Sequence, residues 1–224
     1  VAYRRTEFAR DEWYHCYSRG VDKRITFETE ADYERFLQAL YLCNSTTVIQ
    51  RSDLYRPAHT DFFSLKRGKP LVSIGAYCLM PNHFHLLLQE ISDNGISNFM
   101  QKVGTSYTMY FNVKRSRTGN LFVKPFRSKH IDDDRYVKRV TQYIHLNPVE
   151  LFEAKWKQGI VRDVRALNNR LGSYRYSSLP DYDGVKRPER LILDPGAIDF
   201  LDVDRVSTAD ALIDMTEYYS ELDI

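Results

Sequence analysis

The sequence predicts an α+β layered domain, and three observations carry that reading. Short aromatic or apolar segments of strand length occur at residues 13–20, 71–79 and 83–89. Between and after them lie stretches whose apolar residues recur at helical spacing. The two kinds of element alternate irregularly around a few strands that suit antiparallel pairing. At 224 residues the chain is long enough for one good-sized domain with an appendage.

The first strand, residues 13–20, runs from Trp13 to a turn at Gly20. Thr29 then caps a helix, with Asp32 at its third position as the capping-box partner. Tyr33, Phe36, Leu37, Leu40 and Tyr41 form its apolar stripe. Residues 44–70 are polar and end in Lys66-Arg67-Gly68-Lys69-Pro70, a loop or insertion of unusual length for a compact domain. Two apolar strands follow, joined as a hairpin through Met80-Pro81-Asn82. On the second, His83, His85, Leu87 and Gln89 share one face, and Phe84, Leu86 and Leu88 the other.

From Ile96 a helix runs through Phe99, Met100, Val103 and Tyr107 to about Phe111, weakened locally by Gly104. Residues 121–126 read as a further strand, with Pro125 demoting its end to an edge or bulge. Asp132, Asp133 and Asp134 put negative charge at the start of the next helix, where the helix dipole favours it. That helix turns Val137, Val140 and Ile144 inward and stops before Pro148. Near the end, Ser207 caps a last helix with Leu212, Met215, Tyr219 and Leu222 on one side.

Composition narrows the function. No apolar run approaches the ~18 residues of a membrane span, and the N-terminal residues lack the apolar core of a signal peptide. Cys16, Cys43 and Cys78 are odd in number and widely spaced, which suits buried thiols in a reduced cytoplasm better than a disulfide frame or a zinc cluster. The net charge of +2 is unevenly spread. Residues 191–224 carry nine acids against one base, Arg205, so the first 190 residues carry +10. Residues 101–130 hold Lys102, Lys114, Arg115, Arg117, Lys124, Arg127 and Lys129 and no acid. Interleaved with them are Tyr107, Tyr110, Phe111, Phe122 and Phe126. Such a stretch is either a solvated face or a surface for phosphates and unpaired bases.

His83 and His85 lie one residue apart in a strand, so both imidazoles face the same way and can hold a divalent metal. Tyr143 and Asn147 are four apart, one above the other on a helix, with His145 on roughly the opposite side. Asn147 offers an amide oxygen to the same ion. Each signal has a plain alternative: hydrogen-bonded core histidines, one tyrosine among sixteen, and an asparagine that only marks a helix stop.

Taken together, Ala76-Tyr77-Cys78-Leu79-Met80-Pro81-Asn82-His83-Phe84-His85-Leu86-Leu87-Leu88 and Tyr143-Ile144-His145-Leu146-Asn147-Pro148-Val149 resemble the single-tyrosine HUH transposases of insertion sequences, in particular their REP-associated tyrosine transposase branch. The resemblance extends to residues 14–21, 95–101, 106–112, 119–122 and 126–129, and to the serine-bearing 173–178. It covers roughly residues 10–185. It implies an RRM-like (ferredoxin-like) antiparallel sheet flanked by helices, with the His83–His85 strand central and a helix carrying a nucleophilic tyrosine over it. Residues 1–150 would be the catalytic domain. Residues 151–224 would be a helical C-terminal extension, partly packed on the core and acidic from 191.

Carried over residue by residue, His83 and His85 match the metal-binding histidines, Phe84 the bulky residue between them, Tyr143 the nucleophile and Asn147 the third ligand. Gln89 is unassigned by the motif, and its face makes it a supporting group near the ion. The implied cofactor is Mg²⁺ or Mn²⁺, and the implied partner is single-stranded or hairpin DNA, with no membrane partner, bound by a monomer or homodimer. Backbone contacts are expected from Lys114, Arg115, Arg117, Lys124, Arg127 and Lys129, and from Arg19. The implied reaction gives a 5′-phosphotyrosine and a free 3′-hydroxyl. A tyrosine with a reference pKa near 10 is only about a thousandth ionised at neutral pH, so it needs the ion, a base or both. The base is not legible: His145 points to packing, His15 to structure, and His130 to phosphate contact or mere exposure. Residues 44–70 and the acidic C-terminal residues depart from the family pattern. Two alternatives stay open: a non-catalytic nucleic-acid-binding module on the same sheet, and a host nickase that no longer transposes.

Overall fold

A computed structural model describes residues 7–47, 62–158, 160–203 and 207–212. Four strands, β1 (Trp13–Arg19), β2 (Val72–Met80), β3 (His83–Glu90) and β4 (Arg127–Ile131), form one antiparallel sheet in the order β2-β3-β1-β4. Helix α1 (Glu30–Cys43) follows β1, and α2 (Gly95–Lys114) follows β3. The β-α-β-β-α-β order and the central β1 and β3 are the ferredoxin-like arrangement that the sequence predicts.

The sheet is buried on both sides, so its two sets of alternating side chains meet two different layers. Helices α1 and α2 cover the face of Phe84, Leu86 and Leu88. Phe36 of α1 lies 4.9 Å from the Phe84 ring and 5.1 Å from Tyr107 of α2. Phe27 and Phe122 complete this aromatic cluster. Carboxylates fix where both helices begin. Asp32 accepts the backbone N–H groups of Glu28 and Thr29, closing the predicted capping box at the start of α1. Glu90, the last residue of β3, accepts those of Gly95 and Ile96 and so starts α2 directly from the sheet. A Cβ at Gly95 would stand 2.2 Å from the Leu71 carbonyl oxygen, which restricts this tight approach to glycine.

The other face is covered by α3 (Asp134–Leu146) and by α7 (Pro195–Leu201). Asp133 caps α3 through the Tyr136 N–H, as the acidic run predicts, and Val137, Val140 and Ile144 are buried. After Leu146 the chain stays helical at Asn147. It turns at Pro148 into the single turn α4 (Val149–Phe152), where the sequence predicts a plain stop. The strand β2 bulges at Gly75, where a Cβ would meet Leu201 at 2.6 Å and Trp13 at 3.0 Å.

Residues beyond 150 form α5 (Val164–Gly172) and α6 (Leu179–Tyr182) and then reach α7. They also close the outer edge of β2. The N–H of Ser178 donates to the Tyr77 carbonyl, that of Leu79 to the Tyr176 carbonyl, and the Tyr182 hydroxyl to the Gly75 carbonyl. Among the described residues, no helix is long and apolar enough to cross a membrane.

One sequence expectation is corrected. The fourth strand lies at Arg127–Ile131, not at residues 121–126. Leu121 and Phe122 are buried, and Phe122 makes only an isolated bridge to Gly20, because its ring belongs to the aromatic cluster and Pro125 has no N–H to donate to a ladder. The 44–70 segment is also pinned at both ends. Thr46 donates to the Lys69 carbonyl, Gly68 to the Ser45 hydroxyl, and Lys102 of α2 to the Ser45 carbonyl. Residues 48–61 lie outside the described residues, as do Met215, Tyr219 and Leu222 of the last predicted helix. Ser207 caps its described start through the N–H of Asp210.

The Asp32 cap also holds the two helices together, since the Lys114 ammonium (2.6 Å) and the Tyr110 hydroxyl both donate to its Oδ1. Burial alone would raise the Asp32 pKa; the bonds from Lys114, Thr29, Tyr110 and Glu28 overcome this and hold it at about 2. Because the folded-state value lies below the unfolded one, this stabilisation is present above about pH 4. It is lost as the pH falls through about 2. Asp32→Ala is expected to cost about 3 kcal/mol in denaturant unfolding at pH 7. The deficit relative to the parent should shrink in acid.

Candidate active site

The register of β1 against β3 sets the composition of the uncommitted face. Tyr17 lies opposite His85, Arg19 opposite His83 and His15 opposite Leu87. On β4, Arg127 lies beside Tyr17 and Lys129 beside His15. By strand alternation, His83, His85, His15, Tyr17, Arg19, Arg127 and Lys129 therefore share one side of the sheet. Helix α3 crosses this side, and Lys129 Nζ donates to the hydroxyl of its Tyr136 at 3.1 Å.

The His83 and His85 rings are 5.1 Å apart and nearly perpendicular. Each has its Nδ1 engaged. His83 Nδ1 is 2.7 Å from Asn82 Oδ1, while the Asn82 amide nitrogen donates to the Lys23 carbonyl and so turns the oxygen towards the ring. An amide oxygen only accepts, so this contact calls for a proton on His83 Nδ1. His85 Nδ1 is 2.8 Å from His15 Nε2, and Tyr17 stacks on His85 at 5.7 Å. Burial, then the neighbouring His15, His83 and Arg19, push His85 well below the ordinary histidine pKa. Burial, then Lys129, lower His15 to about 3. At neutral pH both imidazoles are uncharged, the state in which a histidine can donate a lone pair to a metal.

From α3, Tyr143 and Asn147 are buried, 4% and 6% exposed. The whole Tyr143 side chain is therefore covered. Asn147 donates through Nδ2 to the carbonyls of Tyr143 and Ile144, so a ligand role would fall to its amide oxygen. His145 bonds the Ser178 hydroxyl at 2.8 Å and packs edge-on against Tyr182. It therefore fastens α3 to the chain beyond residue 150, in keeping with its predicted packing role. Among the described residues, no three His, Cys, Asp or Glu side chains form a metal cluster. Two imidazoles with their Nδ1 atoms held by neighbours, plus an amide oxygen, nonetheless suit a divalent ion that completes its shell with water and phosphate oxygens.

Not every expected residue comes to this place. Gln89 shares the face but stands four residues beyond His85, about 13 Å along the strand. Its amide donates to the Asp11 carbonyl. It lines a cleft of about 490 Å³ edged by Asp11, Glu12, Asp132, Asp133, Asp134 and Asp194, whose charge repels phosphate. Lys114 and Arg115 belong to the α1–α2 layer on the other side, paired with Asp32 and Glu28. Arg117 braces the loop after α2 through Asn112 and the Asn120 carbonyl. His130 pairs with Glu12 at 3.1 Å. Arg127 is exposed on the histidine side, and Lys124 is exposed just before β4. The contact that sequence reading missed is His15 on His85. It is a diagonal cross-strand pair, visible only once the register is known.

Residues 55–147 match the family described as "Transposase IS200 like". No curated protein sequence matches the chain. Among solved structures, it is similar to a REP-associated tyrosine transposase bound to a REP hairpin, with 14% identity and a TM-score of 0.52 over 84% of this chain and 90% of that one. At that identity the likeness is one of fold. The stretch from ahead of β2 to the turn after α3 thus matches the IS200-like transposase family, and the fold is similar to that of a REP-associated tyrosine transposase.

Proposed function

We propose that the chain is a divalent-metal-dependent nickase and strand transferase for single-stranded, hairpin-containing DNA, with Tyr143 as its nucleophile. The observation that carries this reading is the pair of oriented imidazoles His83 and His85, the second kept uncharged by burial. They lie on the sheet face crossed by the helix of Tyr143 and Asn147, inside the segment that matches IS200-like transposases. His83, His85 and Asn147 would hold the ion, Mg²⁺ or Mn²⁺. When bound, it neutralises charge on the non-bridging phosphate oxygens as the transition state develops.

Tyr143 gives up its phenolic proton and its oxygen forms a bond to phosphorus. The bond from phosphorus to the 3′-oxygen breaks, that oxygen takes a proton, and the 5′-phosphate stays on the tyrosine. Because one ester replaces another, a second 3′-hydroxyl can reverse the step and join a different strand. His145 bonds Ser178 and packs on Tyr182, which gives it an anchoring role. Tyr143 and His85 are covered, so a phosphate reaches them only when the elements above them open.

Charge supports a nucleic-acid partner on this side. Arg19, Arg127 and Lys129 border the histidines, and the acidic cleft lies at the opposite end of the same face. A DNA backbone would therefore run across the His83 end of the sheet. The hairpin bound by the structural relative makes an imperfect palindrome the substrate to try first.

Incubation with single-stranded hairpin DNA and Mn²⁺ is expected to give a covalent protein–DNA adduct that Tyr143→Phe abolishes. An adduct that persists in that variant would remove Tyr143 from the reaction. No adduct from the parent on any hairpin would leave a non-catalytic binding module. His83→Ala is expected to slow nicking about a hundredfold or more, the equivalent of several kcal/mol of charge stabilisation. For DNA affinity, Arg127→Ala and Lys129→Ala should each lower the slope of log K against log salt by about 0.7. Lys114→Ala should leave it unchanged.

A further inference from the structure

We infer that His15 and Asn82 are positioning residues that set the tautomers of the histidine pair, so that both rings offer Nε2 to one ion. This rests on the metal role proposed above for His83 and His85, and it names two residues to which that role assigns nothing.

The geometry is closed for His83. Lys23 supplies a carbonyl to the Asn82 amide nitrogen, so Asn82 Oδ1 faces the ring and takes the Nδ1 proton at 2.7 Å. The Asn82 backbone is itself fixed, since Gly20 N–H donates to its carbonyl at 2.8 Å. For His85 the partner is another imidazole, and the 2.8 Å contact has two possible directions. If His15 donates, His85 keeps its proton on Nε2 and has no lone pair for a metal there. If His15 accepts, which requires its proton to sit on Nδ1, His85 is protonated on Nδ1 and ligates through Nε2. The second direction gives both rings of the pair the same tautomer. It is also the pattern in which a ligating histidine donates its other N–H to a neighbour, fixing ring orientation and raising basicity.

Position supports the assignment. His15 and Tyr17 are alternate residues of β1, and both rings lie against His85, at 5.0 and 5.7 Å. The imidazole is thus held by a polar contact at Nδ1 and by stacking. His15 is fully buried in the middle of the central strand pair, where a polar ring is costly unless it is hydrogen-bonded. An aliphatic residue would pack there without that cost, so its use beside His85 calls for a chemical reason.

The test reads nitrogen chemistry as well as metal binding. Long-range ¹H–¹⁵N spectra of the metal-free protein should show His83 and His85 both protonated on Nδ1. An Nε2-protonated His85 overturns the assignment of His15, whatever the activity. Mn²⁺ titrated into the protein without DNA, followed by electron paramagnetic resonance, should bind 10–100-fold more weakly to His15→Phe, which keeps the ring but not the acceptor. His15→Gln places an amide oxygen near the lost nitrogen and should restore most of the affinity together with the Nδ1–H signal. If His15→Phe binds Mn²⁺ as tightly as the parent, the positioning role is wrong while the metal role stands. If the parent binds no Mn²⁺, the metal role falls, and the spectra alone decide the tautomers. Should His15→Phe fail to fold, the parent spectra and His15→Gln still give the answer.

Discussion

The register of β1 against β3 is the constraint on which the rest of the molecule depends. These two strands are the centre of the sheet, and both of their faces are buried. Tyr17 opposite His85 and Arg19 opposite His83 put His15, Tyr17, His83 and His85 on one side and Tyr14, Cys16, Phe84 and Leu86 on the other. A slip of one residue would turn the histidines into the aromatic layer and expose Phe84 to the polar one. Glu90 adds a stop at the end of β3, because its carboxylate must reach the first N–H groups of α2. The same register that packs the core therefore also assembles the imidazole pair and its neighbours.

Carboxylates define the layers around that centre. Asp32, Glu90, Asp133 and Asp194 each accept backbone N–H groups at the start of a helix, where unpaired donors and the helix dipole favour negative charge. Asp32 also draws in Lys114 and Tyr110, and Glu28 draws in Arg115. Two of the cations in the acid-free stretch thus neutralise helix caps on the far side of the sheet. Counting bases along the chain overstates the charge available to a phosphate, because a base near in sequence to the others need not share their surface.

What remains on the histidine side is a graded face. Arg19 and Arg127 lie level with the histidines, Lys129 is one step further, and six acids gather where Trp13 and Gln89 end their strands. The low-dielectric setting keeps His15 and His85 uncharged at neutral pH. Burial thus leaves both rings a lone pair and restricts access to them. Tyr143 is covered as well, so the proposed chemistry on DNA requires the layer above the sheet to open.

The sequence by itself determined the elements whose signals are local. The capping box at Thr29 and Asp32, the hairpin through Pro81 and Asn82, the acidic start of α3 and the shared face of His83 and His85 all follow from spacing within a few residues. Resemblance added the order of the sheet. The fourth strand escaped because Arg127–Ile131 is largely polar, while the apolar residues before it pack between helices instead of pairing. Only the tertiary structure decided that His15 meets His85, that Gln89 stands apart from them, and that Lys114 belongs to Asp32. These contacts join segments 70 or more residues apart. They depend on strand register and helix placement, which the packing of the whole core selects and no short window of sequence encodes.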